Sequence, residues 1–281
     1  MKVQNMNYFK WSALALMLAA LAGCASLFAH PGVKQAGSIV DYLYPDARQA
    51  PRMQAGVTRL RPPVRVGIAF VPGGGWGGGL PEAEKMKLLE RVKAAFSSQD
   101  YIASIEVIPT QYLRPKGGFA NLDQVARMFN VEVVALLSYD QIQFNDSNAL
   151  SVLYWTIIGA YLIEGDKFDI QTMVDAAVFD VKSRTLLFRA PGTSQVKGSA
   201  TLAGFGERAR KGQADGYAQA VGQLIPQLQA ELARFRERIK SDASITVENK
   251  AGYSGGGSLD YLSLLMAFVL FALGWRRRRA P

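Results

Sequence analysis

The chain predicts an α/β domain on a mixed sheet, in the order βαβαβββα, with helices over one face and an apolar segment at each end. Three observations lead there. Short β-branched runs alternate with amphipathic segments in the first half; long apolar runs then follow one another with no helix between them; and one long segment with apolar residues at 3–4 spacing closes the series. Strands separated by helices suit parallel neighbours and consecutive strands suit antiparallel ones, so a mixed sheet accommodates both.

The elements justify themselves in order. Val64 to Val71, "VRVGIAFV", is short, β-branched and ended by Pro72, the mark of a buried strand. Pro81 to Ser98 carries Met86, Leu89, Val92 and Phe96 on one stripe, with proline in the first turn, where a missing N–H costs nothing. Ile102 to Thr110 reads as a second strand. Asn121 is placed to cap a helix bearing Leu122, Val125, Ala126 and Phe129. Val131 to Phe144 is a third strand that bends partway. Leu150 to Ile163 and Phe168 to Asp180 read as long strands joined at Glu164-Gly165-Asp166, and Thr185 to Ala200 returns after the turn at Lys182-Ser183-Arg184. Gly206 to Lys240 is a helix with Tyr217, Val221, Leu224, Leu228, Leu232, Phe235 and Ile239 on its inner face. The run Ala149 to Ile163 leaves two readings open: a buried strand, favoured by Val152, Tyr154, Trp155, Thr156, Ile157 and Ile158, or half of a hairpin from Leu150 to Asp180 that enters a membrane or packs in an oligomer. In lipid such a hairpin needs neighbours to close its edges.

The ends of the chain carry targeting chemistry. Lys2 and Lys10 precede the apolar run Trp11 to Leu21, which closes on Leu21-Ala22-Gly23-Cys24. A basic start, a short apolar core and small residues make a secretory signal peptide over residues 1–23. A cut after Ala29 fits less well, because Leu27 is large for its position. The quartet resembles a bacterial lipobox, which implies cleavage by signal peptidase II before Cys24 and acylation of its thiol. Cys24 is the only cysteine, so its modification leaves no thiol for a disulfide.

At the other end, Leu259 to Trp275 is an apolar helix with one charge, Asp260, at its edge. Its length is about 25 Å, the short end of what crosses a hydrocarbon core. Apolar residues surround it on every side, and Arg276, Arg277, Arg278 and Arg279 stop transfer and hold the tail, residues 276–281, in the cytoplasm. Gly255-Gly256-Gly257-Ser258 followed by helix and arginines is similar to the GlyGly-CTERM sorting signal, and the combination with a lipobox resembles a rhombotarget lipoprotein. The resemblance implies processing by a rhombosortase at residues 255–258, where glycine weakens helix and lets the chain unwind into a protease. Its implied partners are signal peptidase II, the acylation and export machinery, the rhombosortase and the membrane. Asp260 departs from the pattern and leaves the cut position open.

The intervening composition narrows the functional classes. The formal charge is +9; without Lys2, Lys10, Arg276 to Arg279 and Asp260 there remain 26 basic and 22 acidic residues, a net of +4. Positive charge therefore sits in the targeting segments, which removes the compositional basis for a nucleic-acid partner. Residues 24–63, with five prolines and no periodicity, read as a tether that includes a short ordered patch at Ile39 to Tyr44; 64–240 form the folded domain; 241–258 are a polar, glycine-rich linker.

Pro72 to Lys85, "PGGGWGGGLPEAEK", joins a strand to a helix as a phosphate loop does. It lacks the Gly-Lys-[Ser/Thr] ending and places Glu82 and Glu84 where an anion would sit. It reads as a solvent loop anchored by Trp76, or as a contact loop, with Lys85 turned to solvent. His30 is the only histidine and lies in the tether, which argues against His-based hydrolysis or metal binding. Asp140, Asp146, Asp166, Asp169, Asp175 and Asp180 never fall into a metal-loop spacing. Arg208, Arg210 and Lys211 open the last helix as a solvated or partner-facing patch. No catalytic residue, cofactor or metal site is assigned.

"LDQVARMFNVEVVALLS" and "AAVFDVKSRTLLFRA" are similar to the curli-secretion and TolB N-terminal type of periplasmic lipoprotein domain, with Asp180, Ser183 and Leu186 in its Asp-x-x-[Ser/Thr]-x-x-hydrophobic turn. That resemblance implies a fold and no catalysis. Three functional readings follow: a non-enzymatic envelope lipoprotein acting by binding or assembly, an oligomeric curli-like secretion component, and, less favoured, an enzyme with an unrecognised site.

Overall fold

The computed structural model describes residues 33–45, 57–73, 80–147, 166–201 and 203–253. Residues 1–23, Cys24, His30, Trp76, Leu150 to Ile163, Gly255 to Ser258, the apolar run Leu259 to Trp275 and Arg276 to Arg279 lie outside them, and with them the expectations made there. No helix among the described residues is long and apolar enough to cross a membrane.

The main sheet is mixed and six-stranded. It contains β1 (Val33–Gly37), β3 (Val64–Phe70), β4 (Ile102–Val107), β5 (Val133–Ser147), β6 (Asp166–Asp180) and β7 (Thr185–Ala200), ordered β4-β3-β5-β6-β7. β3 is parallel to β4 and to β5, while β5, β6 and β7 form an antiparallel meander. One edge of β5 is taken in series, by β3 opposite residues 133–137 and by β1 opposite 139–143. A second, two-stranded parallel sheet joins β2 (Thr58–Leu60) to β8 (Ile245–Val247). The helices are α1 (Ile39–Leu43), α2 (Glu82–Phe96), α3 (Gly118–Met128) and α4 (Phe205–Arg238), with a 3-10 turn at Thr110–Tyr112.

The sheet is mixed as the periodicity predicts, and the described elements from Val64 to Arg238 follow the order βαβαβββα, but helices cover both faces rather than one. Strand parity explains it. In β5, Val133, Ala135, Leu137 and Tyr139 join β3 residues Ile68 and Phe70 beneath α2 and α4. Val134 and Leu136 face the other way, with Ala69 and Val71, onto α1 and α3. A run apolar at both parities must be covered twice.

Four further expectations change. The segment read as a tether contributes β1 and β2 as well as α1, which is the ordered patch expected at Ile39 to Tyr44; Tyr42 and Leu43 of α1 are 1% and 3% exposed. Asn121 lies inside α3 and is buried, so it does not cap that helix. Its Oδ1 accepts from Tyr42 Oη (3.1 Å) and Arg114 N (2.8 Å), and its Nδ2 donates to Tyr112 O (3.3 Å). The partner of β6 is β5, residue for residue from Val133↔Asp180 to Ser147↔Asp166, and β7 takes its other edge. No edge of β6 is left for a hairpin with Leu150 to Ile163. Finally, the linker after residue 240 is folded in its first part, as β8 and a latch described below.

Candidate functional site: an apolar cavity under two helices

An apolar cavity, open on one side, lies between the sheet and the α2–α4 pair. Its volume is about 690 Å³, within the roughly 300–1,000 Å³ of small-molecule sites. The floor is sheet: Val64, Val66 and Ile68 of β3, Ile102 and Ile105 of β4, Val133 and Ala135 of β5. The roof is the C-terminal half of each helix, Val92 and Phe96 from α2, Leu228, Leu232 and Phe235 from α4. Leu60 and Val247, from the small sheet, close one end.

Sequence position explains why the cavity forms there. On the β3 face, Ile68 and Phe70 are buried, whereas Val64 and Val66 at the start of the strand are only half-buried. Arg91 Nη1 donates to Ala218 O (3.1 Å) and Gln229 Nε2 to Ala95 O (3.3 Å), holding the helices side by side over the sheet. Along the first half of α4 the fit is tight: a Cβ on Gly192 of β7 would lie 2.2 Å from Ala220 O and 2.7 Å from Leu224 N. Beyond Pro226, Leu232 and Ile239 remain half-buried.

The polar groups gather at the rim. Lys93, Tyr101, Arg236, Lys240, Asn249 and Tyr253 line the cavity there, and no carboxylate does. The Arg236 guanidinium lies over the Tyr101 ring, 4.8 Å from its centre. Burial pushes the Tyr101 hydroxyl up, against the opposing pull of Arg236. Lys93 and Lys240 each pair with an acid three residues earlier, Glu90 at 4.0 Å and Glu237 at 2.7 Å.

A latch holds the chain that closes this end. Lys250 Nζ donates to Glu132 Oε2 (2.9 Å) and Pro63 O (2.9 Å), and Arg65 N donates to the same Glu132 oxygen (3.1 Å). Burial pushes the Glu132 carboxyl up, but Lys250 and Arg65 outweigh it and hold it below the ordinary glutamate range.

The residues singled out in the sequence fare differently. Lys85 does not reach for solvent: its side chain is 11% exposed, 3.6 Å from Glu82 and 5.9 Å from the centre of the Tyr139 ring. Glu82 accepts from Thr110 N at 2.6 Å, so the carboxylate at the helix start is already engaged. Asp180 accepts from Ser183 N (2.8 Å) and Oγ (2.6 Å), which makes the predicted turn. Leu186 is 46% exposed and Leu187 4%, so the side chain that turns inward is one position later than expected. Arg208, Arg210 and Lys211 are exposed. No group of His, Cys, Asp and Glu suited to a metal occurs among the described residues. The cavity itself was not legible: its walls read as ordinary core, and the void depends on the spacing of two helices distant in sequence.

No family model and no curated protein matches the chain. Among solved structures it is similar to a Helicobacter pylori protein described as a neuraminyllactose-binding hemagglutinin homolog, 8% identical over 66% of this chain and 94% of that one, TM-score 0.38. It is also similar to lipoprotein B of Nitrosomonas europaea (13%, 68% and 97%, 0.30) and to the PelC dodecamer of Paraburkholderia phytofirmans (13%, 69% and 98%, 0.25). Likeness at this level is not evidence of a shared function.

Proposed function

We propose that this chain is a bacterial cell-envelope lipoprotein, cut before Cys24 and acylated there, cut again near Gly255 to Ser258 by a rhombosortase, and working by binding rather than catalysis. The observation that carries the reading is the pair of opposed signals, Leu21-Ala22-Gly23-Cys24 at one end and glycines, apolar helix and four arginines at the other. The apolar cavity supports binding, since its walls offer enclosure and few reactive groups.

Intact mass of the mature protein is the test. A chain starting at acylated Cys24 and ending within or beside residues 255–258 is expected. A chain that keeps Met1, or one that retains Arg276 to Arg279, overturns the reading. Assembly into a ring is a second reading, favoured by β7, a sixteen-residue strand paired to β6 on one side and with no partner strand on its outer edge among the described residues. Native mass in mild detergent distinguishes a ring from a monomer.

A further inference from the structure

We propose that the cavity under α2 and α4 is a binding site for a long-chain fatty acid, with the alkyl chain among the walls and the carboxylate at the rim formed by Lys93, Arg236 and Lys240. The inference goes beyond the anchoring reading and stands without it.

The walls argue for an alkyl chain. Protein interiors pack to crystal-like density, and voids much larger than a water molecule are few. Here about 690 Å³ is open in the layer between sheet and helices. Val64, Val66, Ile102, Phe188, Leu232 and Ile239 keep exposed apolar surface in that layer, while Leu137 and Leu224 beside them are fully buried. Water is a poor occupant, because each ordered molecule needs two to four polar partners and the interior walls supply none from their side chains. An apolar guest restores the missing dispersion contacts.

The rim argues for an anionic head. Three cations line the cavity and no carboxylate does. Glu90 and Glu237 touch two of those cations without lining the cavity. A carboxylate on this lining is offered charge-assisted hydrogen bonds by Lys93, Arg236 or Lys240, which are stronger than neutral ones. The chain's own apolar segment, from Leu259, begins six residues after Tyr253 at the rim. As a helix it would be roughly 25 Å long and 10 Å or more across, several times the cavity's volume, so it does not fit.

The test uses the purified full-length protein in digitonin, which has no flexible alkyl chain to compete, and a hexadecanoic acid carrying a diazirine at mid-chain. After irradiation, adducts are expected on peptides covering 228–240 of α4 and on β3 and β4. Unlabelled palmitate should suppress them at least tenfold more effectively than hexadecanol, which has the same chain and no charge. Leu232→Trp, which fills the cavity, should reduce adducts at least fivefold. Arg236→Glu with Lys240→Glu, both at exposed positions, should erase the preference for palmitate over hexadecanol and keeps the proposal falsifiable if the tryptophan variant does not fold. Cys24→Ala should label as the parent does. Adducts scattered over exposed apolar residues such as Val40, Met128 and Met173, equal competition by acid and alcohol, or cross-links from the cavity to residues 259–275 would each overturn the proposal. So would a rise in labelling in Cys24→Ala, which would make the protein's own anchor the occupant. None of these results bears on where the mature chain begins and ends, so the two readings fail separately.

Discussion

Asn121 shows how a residue read one way in sequence can serve another purpose. An asparagine before an apolar stretch suits a helix cap, yet here its amide ties α3 to the preceding loop at Tyr112 and Arg114 and to Tyr42, 79 residues away. Tyr42 Oη is one donor among others: replaced by phenylalanine, it leaves Asn121 Oδ1 still bonded to Arg114 N. Tyr42→Phe should therefore cost about 0.5–1.5 kcal/mol, the net worth of one hydrogen bond. Asn121→Leu strands the Tyr42 hydroxyl and the Arg114 N–H together and should cost about twice as much or more. Equal losses in denaturant titrations would show that the amide does not act as a hub. Gly192 carries a second residue-scale prediction. A methyl group there meets backbone atoms of α4, which cannot swing away as a side chain would. Gly192→Ala should cost about 1–3 kcal/mol, the usual range for overpacking, and lower the melting temperature by several degrees. An unchanged melt would mean that β7 and α4 are not in register there.

At the scale of elements, the small sheet and its latch decide whether the cavity has a closed end. β2 and β8 are three residues each, too short to hold on their own. What secures them is the Lys250–Glu132–Arg65 cluster and the backbone bonds Glu248 N→Leu60 O (2.9 Å) and Lys250 N→Pro62 O (2.8 Å). The Glu132 carboxyl is held below its ordinary value, so its contribution is full above the ordinary glutamate range and is lost as pH falls through the lowered value. The group is about one-third exposed, and its contribution should stay under about 1 kcal/mol. Global unfolding will barely register it, but hydrogen exchange will. Protection of the Glu248 and Lys250 amides should fall in acid before that of the main sheet, and Glu132→Gln should lower it already at neutral pH. Protection that tracks the main sheet at every pH would mean the tail is held by something else.

At the scale of the whole molecule, described elements extend beyond 64–240: β1, α1 and β2 precede that stretch, and β8 and the latch at Lys250 follow it. A fragment of residues 33–253 should unfold in one cooperative transition. A fragment of residues 60–245 loses β1, α1 and the latch, exposes the α3 face that Tyr42 and Leu43 cover, and should melt at least 10 °C lower or aggregate. Equal melting temperatures would place α1 outside the cooperative unit. The two ends of the described chain also leave from opposite ends of the sheet: Val33 lies beside Gln143 of β5, whereas Lys250 binds Glu132 just before that strand. Those points are about 35 Å apart along β5. On the proposed reading, the uncut protein has an anchor at each end. Export would require drawing four arginines through the bilayer, at no less than about 2.5–3.5 kcal/mol each. Replacing Gly255-Gly256-Gly257 with leucines should therefore leave full-length protein in the inner membrane, while the cut form, with Ala25 after its cysteine, moves to the outer membrane. Uncut protein recovered from the outer membrane would refute the gating role of the cut.

What the sequence determined by itself was local in origin. Apolar periodicity placed β3, α2, β5, β6, β7 and α4 within a few residues, because each buries a face whose spacing is written in its own segment. The turn at Lys182-Ser183-Arg184 was legible for the same reason, while the resemblance supplied Asp180 as its partner; the hydrogen bonds span three residues. The tertiary structure alone decided the rest. β1 and β2 are too short to show a period and exist because β5 and β8 offer them edges, and the ordered patch at Ile39 to Tyr44 becomes a buried helix because Tyr42 finds Asn121. Cover on both faces follows from two parities being apolar at once, a property of the assembled sheet. The cavity is the furthest from the sequence. Leu232, Ile239 and Val66 are written like any core residue, and only the spacing of α2 and α4 over the sheet, fixed by contacts distant in the chain, leaves them facing a space that no side chain fills.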